Sequence, residues 1–325
     1  TKTTTMKVKL RHNTLMRLIT GAALLIGIPG IVLLVLWPLV GWRWALVLPT
    51  VWIVLMAYGF FCGWRHLVVR SATCSSPLLP AAFDGYRVVQ LSDIHIGTFL
   101  RNRSFVDKMV RLVNAQQPDL VVFTGDLVNV SAQEVIPFQH ALKQIKARDG
   151  VFSVMGNHDY CEYGEDKSVG YIRKNQTVLK YLEQKIGWRL LLNEHVSLHR
   201  GGASIDLVGV ENISRPPFPD YGDLEKALEG TAPGSFKILL SHDPSHWRRG
   251  VLHKTDIALT LSGHTHAGQI SMGRFSPAKW AYNEWGGKYT EDGSMLYVSV
   301  GIGGTVPFRF GAWPGIDVVQ LRREG

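Results

Sequence analysis

The chain has 325 residues, of which 46% are hydrophobic and 19% charged, a composition that excludes a disordered or low-complexity protein. Its formal net charge is +9, but the positive residues are concentrated at one end. Residues 1–70 contain no acid, so the remainder of the chain is nearly neutral and a nucleic-acid partner is not expected. The positive residues of this region are Lys2, Lys7, Lys9, Arg11, Arg17, Arg43, Arg65 and Arg70.

Two apolar runs follow the basic segment of residues 1–17. No charged residue occurs from Leu18 to Trp42 or from Trp44 to Trp64, and each run is about the 20 residues that a helix needs to cross a bilayer. A signal peptide would have a shorter apolar region and no second span. We therefore predict a transmembrane helical hairpin over residues 18–64, with its turn around residues 38–43. The positive-inside rule places both of its ends in the cytoplasm.

Residues 65–84 are predicted to form a juxtamembrane linker, because "SATCSSPLLPAAFD" at 71–84 is rich in small residues and proline. Beyond it, over residues 85–325, short apolar runs that suit buried strands alternate with amphipathic helical spacing. This alternation predicts an α/β domain whose sheet is covered on both faces. Helical spacing is found at Val106, Met109, Val110 and Val113 after a possible cap at Asn102, and at Phe138, Ala141, Leu142 and Ile145. The sparse cysteines Cys62, Cys74 and Cys161 are predicted to be free thiols.

Polar clusters follow five of the predicted strands, in the motifs "DIH", "GD", "GNHD", "SHD" and "GHTH". Ligands of open α/β sheets bind at the carboxyl ends of strands, so we expect these clusters to converge. Each residue has a simpler structural reading alone: Asp126 as a turn residue, Asn157 as a helix cap and His242 as a buried histidine. Glycines that permit close approach directly precede three of the clusters, at Gly125, Gly156 and Gly263. The polar residues are Asp93, His95, Asp126, Asn157, His158, His242, His264 and His266.

This donor set predicts a centre with two metal ions. Carboxylates, an amide oxygen and imidazoles without a thiolate suit Mn, Fe or Zn, and seven ligands are too many for one tetrahedral ion. Two divalent ions that share a carboxylate are a known device for hydrolysing phosphate esters. We take Mn as the first choice, with Fe or Zn as alternatives.

In type and order the five motifs resemble the calcineurin-like metallophosphoesterase superfamily, over roughly residues 86–321. The resemblance implies a four-layer β-sandwich flanked by helices. It implies one metal held by Asp93, His95 and His266, a second held by Asn157, His242 and His264, and Asp126 as a bridge between them. It further implies that His158 assists the leaving group, with Asp93 near it, so that the catalytic residues are His158, Asp93 and Asn157.

Departures from the family's patterns narrow the subfamily. Protein phosphatases carry Arg before GNH and Asp-Arg-Gly after the GD motif, whereas this chain has Met155 and "GDLVN", which ends in Asn129. The HxHxDH cluster of metallo-β-lactamases is absent from the sequence. "LSDIHIG", "GNHDY" and "GHTHAGQ" instead resemble the bacterial membrane-associated branch, which includes UDP-2,3-diacylglucosamine hydrolases of lipid A synthesis. Asn129 and Ala267, neither of them an implied ligand, depart from the commoner residues of that branch.

The resemblance and the hairpin together predict a membrane-anchored dimetal phosphoesterase, in which a metal-bridging hydroxide attacks phosphorus in line without a phosphoenzyme. A lipid-linked nucleotide pyrophosphate such as UDP-2,3-diacylglucosamine is the leading substrate, and membrane lipid is the expected partner. A general phosphodiesterase acting on soluble nucleotides would share every motif. A non-catalytic scaffold would have lost ligands, and none is missing. The predicted location is the bacterial cytoplasmic (inner) membrane, multi-pass, with the catalytic domain facing the cytoplasm; the oligomeric state stays open.

The roles of one residue and one segment stay open between two interpretations. Arg309 could touch a phosphate or be an exposed arginine at a strand end. The segment "RPPFPDYGDLEKAL" at 215–228 could face the substrate or be an ordinary surface loop.

Overall fold

The computed structural model describes residues 18–324, so the predicted basic segment 1–17 lies outside the described residues. Two helical stretches of the described part are long and apolar enough to cross a membrane, Leu18–Val40 and Trp42–Arg65. Only 6% and 22% of their most apolar windows are buried, whereas a core helix of a soluble protein is mostly buried. The chain reverses at Gly41, within the predicted turn, where φ is +76°. The α-helices of this hairpin are α1 (Ile28–Val40), α2 (Trp42–Ala45) and α3 (Val47–Phe61).

The hairpin packs against the rest of the protein along the side of α3. The rings of Phe60 and Phe308 lie 4.7 Å apart, and Met56 belongs to the same buried cluster. The backbone N–H of Arg309 donates to the Gly59 carbonyl at 3.3 Å. This contact gives the hairpin a defined position on the domain.

The first sheet is mixed and has six strands in the order β1-β12-β2-β3-β4-β5. Strands β2 to β5 run parallel to one another, β12 is antiparallel to β2, and β1 is parallel to β12. The strands are β1 (Val68–Ser76), β2 (Arg87–Leu91), β3 (Leu120–Phe123), β4 (Val151–Ser153), β5 (Trp188–Leu190) and β12 (Gly315–Arg323).

The second sheet also has six strands, in the order β10-β11-β9-β8-β7-β6. Its four central strands are parallel, and an antiparallel strand lies at each edge. The strands are β6 (Glu194–Arg200), β7 (Ala203–Gly209), β8 (Lys237–Leu240), β9 (Leu259–Ser262), β10 (Gly287–Glu291) and β11 (Ser294–Val298).

The two sheets form the inner layers of a sandwich with helices outside. Apolar residues of both inner faces, such as Val122 and Leu240, form one core, because alternate residues of a strand point to opposite faces. A second core lies between the first sheet and its helices, and a third lies outside the second sheet. The predicted four-layer α/β sandwich is thus confirmed. The helices of the domain are α4 (Arg103–Ala115), α5 (Gln139–Leu142), α6 (Val169–Ile186) and α7 (Leu224–Leu228).

Two details of the sequence prediction differ from the structure. Residues 68–76 of the predicted linker form the edge strand β1 instead, since their pairing with β12 depends on a partner far away in the chain. The helical spacing around Phe138 yields a four-residue helix, α5, flanked by tight turns, whereas α4 begins after Asn102 as predicted.

One carboxyl group is buried beneath the first sheet. Glu183 of α6 is hydrogen-bonded to the Ser153 hydroxyl at the end of β4. Burial raises the pKa of Glu183 to about 8, and the nearby Asp159 adds to this shift.

Candidate metal centre

The polar clusters lie at the carboxyl ends of strands from both sheets. Asp93, Asp126 and Asn157 follow β2, β3 and β4 of the first sheet, while His242 and His264 follow β8 and β9 of the second. Because each of these sets of strands is parallel, its carboxyl ends meet at one edge. The sandwich therefore brings all eight predicted side chains to one place.

A first group of donor atoms comes from Asp93, His95 and His266. The Nε2 atoms of His95 and His266 lie 3.2 Å apart. The His266 Nε2 is 3.5 Å from an Asp93 carboxylate oxygen. Two imidazole nitrogens and a carboxylate oxygen thus converge on a single point.

A second group comes from Asn157, His242 and His264. The Asn157 Oδ1 lies 2.9 Å from His264 Nδ1 and 3.2 Å from His242 Nε2, and the two ring nitrogens are 3.2 Å apart. These atoms too converge on one point, next to the first.

Asp126 lies between the two groups. One of its carboxylate oxygens, Oδ2, is 3.5 Å from His95 Nε2 and 3.4 Å from His242 Nε2. A carboxylate that faces both groups has the position expected of a bridging ligand. The assignment of the seven residues as ligands stays a prediction, with which this geometry agrees.

Hydrogen bonds to residues outside the second group orient its donor atoms. His242 Nδ1 lies 2.7 Å from the Thr124 carbonyl and must donate its hydrogen there, which leaves Nε2 free for a metal. Asn157 donates its amide N–H to the Tyr163 hydroxyl, so its oxygen points inward. The chemistry of the donor set therefore fits divalent ions, which bind neutral imidazole nitrogens and carboxylate or amide oxygens.

Electrostatics in the buried centre favour the metal-binding form of most of its histidines. Burial lowers the pKa of His95 to about 3 and that of His264 to about 4, so both rings are neutral. Burial also lowers the pKa of His242, but the adjacent Asp126 carboxylate outweighs it and raises the pKa to about 10. A cation beside Asp126 would take the place of that proton.

His158 lies beside the two groups and lines the pocket above them. Its Nδ1 is 2.7 Å from the Asn129 carbonyl and donates to it, which directs Nε2 away from this bond. The predicted proximity of Asp93 is not what orients this ring. The Asp93 carboxylate accepts instead from the Ser92 hydroxyl and from the backbone N–H of His264.

The backbone of the centre is strained. Five of the seven predicted ligands have positive φ values between 45° and 71°, a region that non-glycine residues seldom adopt and that is enriched at functional sites. Space is also short: a Cβ at Gly156 would overlap the Asp126 carboxylate, and one at Gly263 would overlap Ser92 and Asp93. The predicted role of these glycines in close approach agrees with this packing. The strained ligands are Asp93, His95, Asp126, His264 and His266.

One buried residue, Asp159, supports the centre although the sequence did not predict this role. Asp159 accepts four backbone hydrogen bonds, from Asp126, Leu127, Val128 and Gly156, and so holds the loop that carries Asp126. The only sequence signal for it was its place in "GNHD".

Of the two alternatives for Arg309, a phosphate contact or an exposed arginine at a strand end, the exposed one is wrong. It is 1% exposed, and its buried guanidinium donates to the backbone carbonyls of Val300, Gly303 and His266. Its Nη2 also lies 3.1 Å from His266 Nδ1.

A pocket of about 400 Å³ opens above the two groups. His95, Asp126 and His158 form part of its floor. Its walls are largely apolar, and among the wall residues only Phe218 comes from the segment 215–228 whose role was open. The other wall residues include Pro277, Ala278, Ala281 and Tyr282.

Comparison with known proteins gives consistent matches. The family model described as calcineurin-like phosphoesterase matches residues 86–268. A transmembrane protein with metallophosphoesterase domain from Bos taurus is 37% identical over 201 residues, which cover 59% of this chain and 43% of that protein. An uncharacterized metallophosphoesterase of Bacillus subtilis is 32% identical, with 77% of this chain and 84% of that protein covered. Another from Helicobacter pylori is 32% identical, with 83% and 69% covered.

Proposed function

The chain belongs to the calcineurin-like phosphoesterase family, and from that premise we propose that it is a membrane-anchored, metal-dependent enzyme that hydrolyses a phosphoester or pyrophosphate bond. The observation that carries the proposal is the pair of donor groups that share Asp126 on the floor of an open pocket. When bound, two divalent ions supply Lewis-acid charge for the phosphate and acidify the water that attacks phosphorus. Mn is the first choice of metal, with Fe or Zn as alternatives.

Seven of the predicted site residues would hold the ions, and His158 would transfer a proton. Asp93, His95 and His266 would hold one ion, and Asn157, His242 and His264 the other. Asp126, whose carboxylate faces both donor groups, would contribute to holding both ions. Tyr163 keeps the Asn157 oxygen directed inward through their hydrogen bond.

His158 is the proton donor for the leaving group. Its Nδ1 is committed to the Asn129 carbonyl, so a proton for transfer is carried on Nε2, and the ring lines the pocket. Its backbone N–H donates to Asp126 Oδ1 at 2.8 Å, which ties its position to the carboxylate shared by both groups.

A lipid-linked nucleotide pyrophosphate such as UDP-2,3-diacylglucosamine is the leading substrate. The apolar hairpin and the apolar pocket walls around Phe218 support a substrate with acyl chains. We place the enzyme in the bacterial cytoplasmic membrane with the catalytic domain in the cytoplasm, because five positive residues precede the hairpin and Arg65 and Arg70 follow its apolar run, against Arg43 alone in its turn. The alternative is a general phosphodiesterase that acts on soluble nucleotides.

The test uses the full chain purified in detergent, with Mn²⁺ supplied. Metal content is measured first, followed by turnover of bis(p-nitrophenyl) phosphate, p-nitrophenyl phosphate, and acylated and deacylated UDP-sugars. We expect metal-dependent hydrolysis of at least one phosphoester or pyrophosphate. Preference for the acylated UDP-sugar would support the lipid-linked substrate, and equal rates on the deacylated one would support the general phosphodiesterase.

Two variants and a control separate metal binding from proton transfer. Asp126→Ala should lose both metal and turnover, because it removes the carboxylate that faces both groups. His158→Ala should keep its metal and lose roughly 10²–10⁴-fold in turnover, the usual contribution of a positioned acid. His199→Ala, at an exposed histidine on β6, is the matched control and should behave as the wild type. Full activity in either of the first two variants contradicts the assigned roles.

A further inference from the structure

A loop beside the pocket exposes three large apolar side chains. We call residues 271–281 the rim loop. Met272 and Phe275 flank its two-residue turn, and their backbones are hydrogen-bonded to each other. Their exposed fractions are 49% and 43%, and Trp280 is 82% exposed. In water such a cluster is costly, and patches of this kind mark interaction sites.

The rim loop is continuous with the surface that packs on the hairpin. The backbone N–H of Ser271 donates to the Phe310 carbonyl at 2.8 Å, and the preceding Ile270 forms a β-bridge with Phe310. Ile270 and Phe310 pack in turn on the buried cluster that contains Met56 of α3. The loop therefore begins where the domain meets the candidate membrane span.

The contact between the domain and α3 lies within the helix and not only at its end. Met56 lies five residues before the end of the helix at Phe61, which is roughly 7 Å at the helical rise. The domain thus contacts the span along its side, within the apolar stretch, as well as at its end, where Trp64 packs on Phe99. A bilayer that surrounds α3 at Met56 also reaches the start of the rim loop.

The charges of the loop suit the surface of a membrane. Arg274 and Lys279 are both exposed, and no acidic residue occurs between 270 and 283. Basic side chains beside apolar ones are typical of segments that lie in the interface of a bilayer with anionic lipids. Tryptophan, the most exposed apolar residue of the loop, prefers that same interface.

We propose that the rim loop is a second membrane contact, which inserts Met272, Phe275 and Trp280 into the bilayer surface and pairs Arg274 and Lys279 with anionic headgroups. The occupant of this apolar patch is therefore lipid. Pro277, Ala278 and Ala281 of the same loop line the pocket, so the pocket opens at the level of the headgroups. As a consequence that rests on the proposed function, the enzyme takes phosphoesters carried by a membrane lipid, which enter from the bilayer side.

The first experiment measures insertion without any use of activity. The full chain carries Cys62→Ser, which removes the exposed thiol, while Cys74 and Cys161 are buried and stay unlabelled. An environment-sensitive NBD label is attached at Trp280→Cys, and the protein is reconstituted into phosphatidylcholine–phosphatidylglycerol vesicles that contain acyl-chain nitroxide lipid. We expect a blue-shifted emission and strong quenching by the nitroxide.

Tyr181→Cys is the matched control. Tyr181 is an exposed aromatic residue of α6, which packs on β5, at the edge of the first sheet opposite to β1. Its label should be neither shifted nor quenched. Phe275→Cys serves as a second site in case the first variant does not fold. Equal quenching at the rim loop and at Tyr181 overturns the proposal, as does a rim-loop label that is shielded in detergent but not quenched by lipid, because a protein partner or a second copy then covers the patch.

The second experiment links insertion to substrate entry. The triple variant Met272→Ser, Phe275→Ser, Trp280→Ser is compared with the wild type on two chromogenic diesters that release the same p-nitrophenol. On hexadecyl p-nitrophenyl phosphate in vesicles, we expect kcat/KM to fall by roughly tenfold, which corresponds to about 1.4 kcal/mol. On soluble bis(p-nitrophenyl) phosphate, the rate should stay unchanged.

The two experiments separate failure of this inference from failure of the proposed function. A wild-type protein that hydrolyses neither diester with metal counts against the proposed function, while the quenching result still tests the membrane contact. Equal losses on both diesters, or no loss on either, contradict the role of the rim loop in substrate entry.

Discussion

Replacing Asp159 by Asn tests whether one buried carboxylate holds the metal-binding loop. Oδ2 of Asp159 accepts from the backbone N–H groups of Asp126 at 2.7 Å and Gly156 at 3.0 Å. Oδ1 accepts from those of Leu127 at 2.8 Å and Val128 at 3.2 Å. An asparagine has one oxygen, so in either orientation its NH₂ group faces two N–H donors and leaves them unpaired.

The size of the effect follows from this count. A buried donor left without a partner costs about 1–3 kcal/mol, so two of them cost roughly 2–6 kcal/mol. The loop can relieve that cost by moving, and it carries Asp126, which faces both donor groups. We therefore expect Asp159→Asn to lose metal content and turnover, together with a lower midpoint of thermal unfolding in detergent.

The control is Asp166→Asn, at an exposed aspartate that accepts a single backbone hydrogen bond from Ser168. It should match the wild type in metal content, measured by elemental analysis, and in unfolding midpoint. The reasoning is refuted if Asp159→Asn binds metal and unfolds as the wild type does, because the four hydrogen bonds would then contribute nothing to the position of the loop.

Three further predictions concern the ligands, the core and the hairpin. His264→Ala and His266→Ala should each remove about one of two metal ions, since their donor atoms lie in different groups, and loss of both ions from each variant would contradict separate sites. Glu183 has its pKa raised from 4.5 to about 8 by burial, so the folded state binds its proton more tightly than the unfolded state does. The free energy of unfolding should therefore fall by up to roughly 1.4 kcal/mol for each unit by which the pH rises between those two values. Glu183→Gln should flatten this slope in denaturant titrations across that range. Gly63→Ala would push a Cβ into a backbone carbonyl of the domain and should lower the unfolding midpoint, whereas Gly30→Ala, with open space around it, should not.

The composition of the site could be predicted from the sequence because each donor follows a short buried strand. Asp93, Asp126 and His264 are all adjacent to apolar runs, and parallel strands bring their carboxyl ends to one edge whatever the order of the sheet. The apolar hairpin could be predicted for a similar reason, since length and lack of charge are local properties.

What escaped prediction depends on contacts between distant parts of the chain. Strand β1 lies in a segment of small residues and forms through its pairing with β12, some 240 residues later, from Val68 with Gly315 to Ser76 with Arg323. No local pattern reports such a partner. The positive φ values of the ligands are likewise imposed by the packing around them, because histidine and aspartate do not require that conformation.

Arg309 connects the apolar span with the predicted metal site. Its backbone N–H donates to the Gly59 carbonyl in α3, and its guanidinium lies 3.1 Å from the ring of His266. The same residue thus touches the candidate membrane span on one side and a predicted metal ligand on the other. Removing the hairpin would uncover Phe308 and the backbone that positions Arg309, both now buried against α3. The hairpin is therefore part of the packing that shapes the site. A catalytic domain without it lacks the contact with α3 that helps to position Arg309 beside His266.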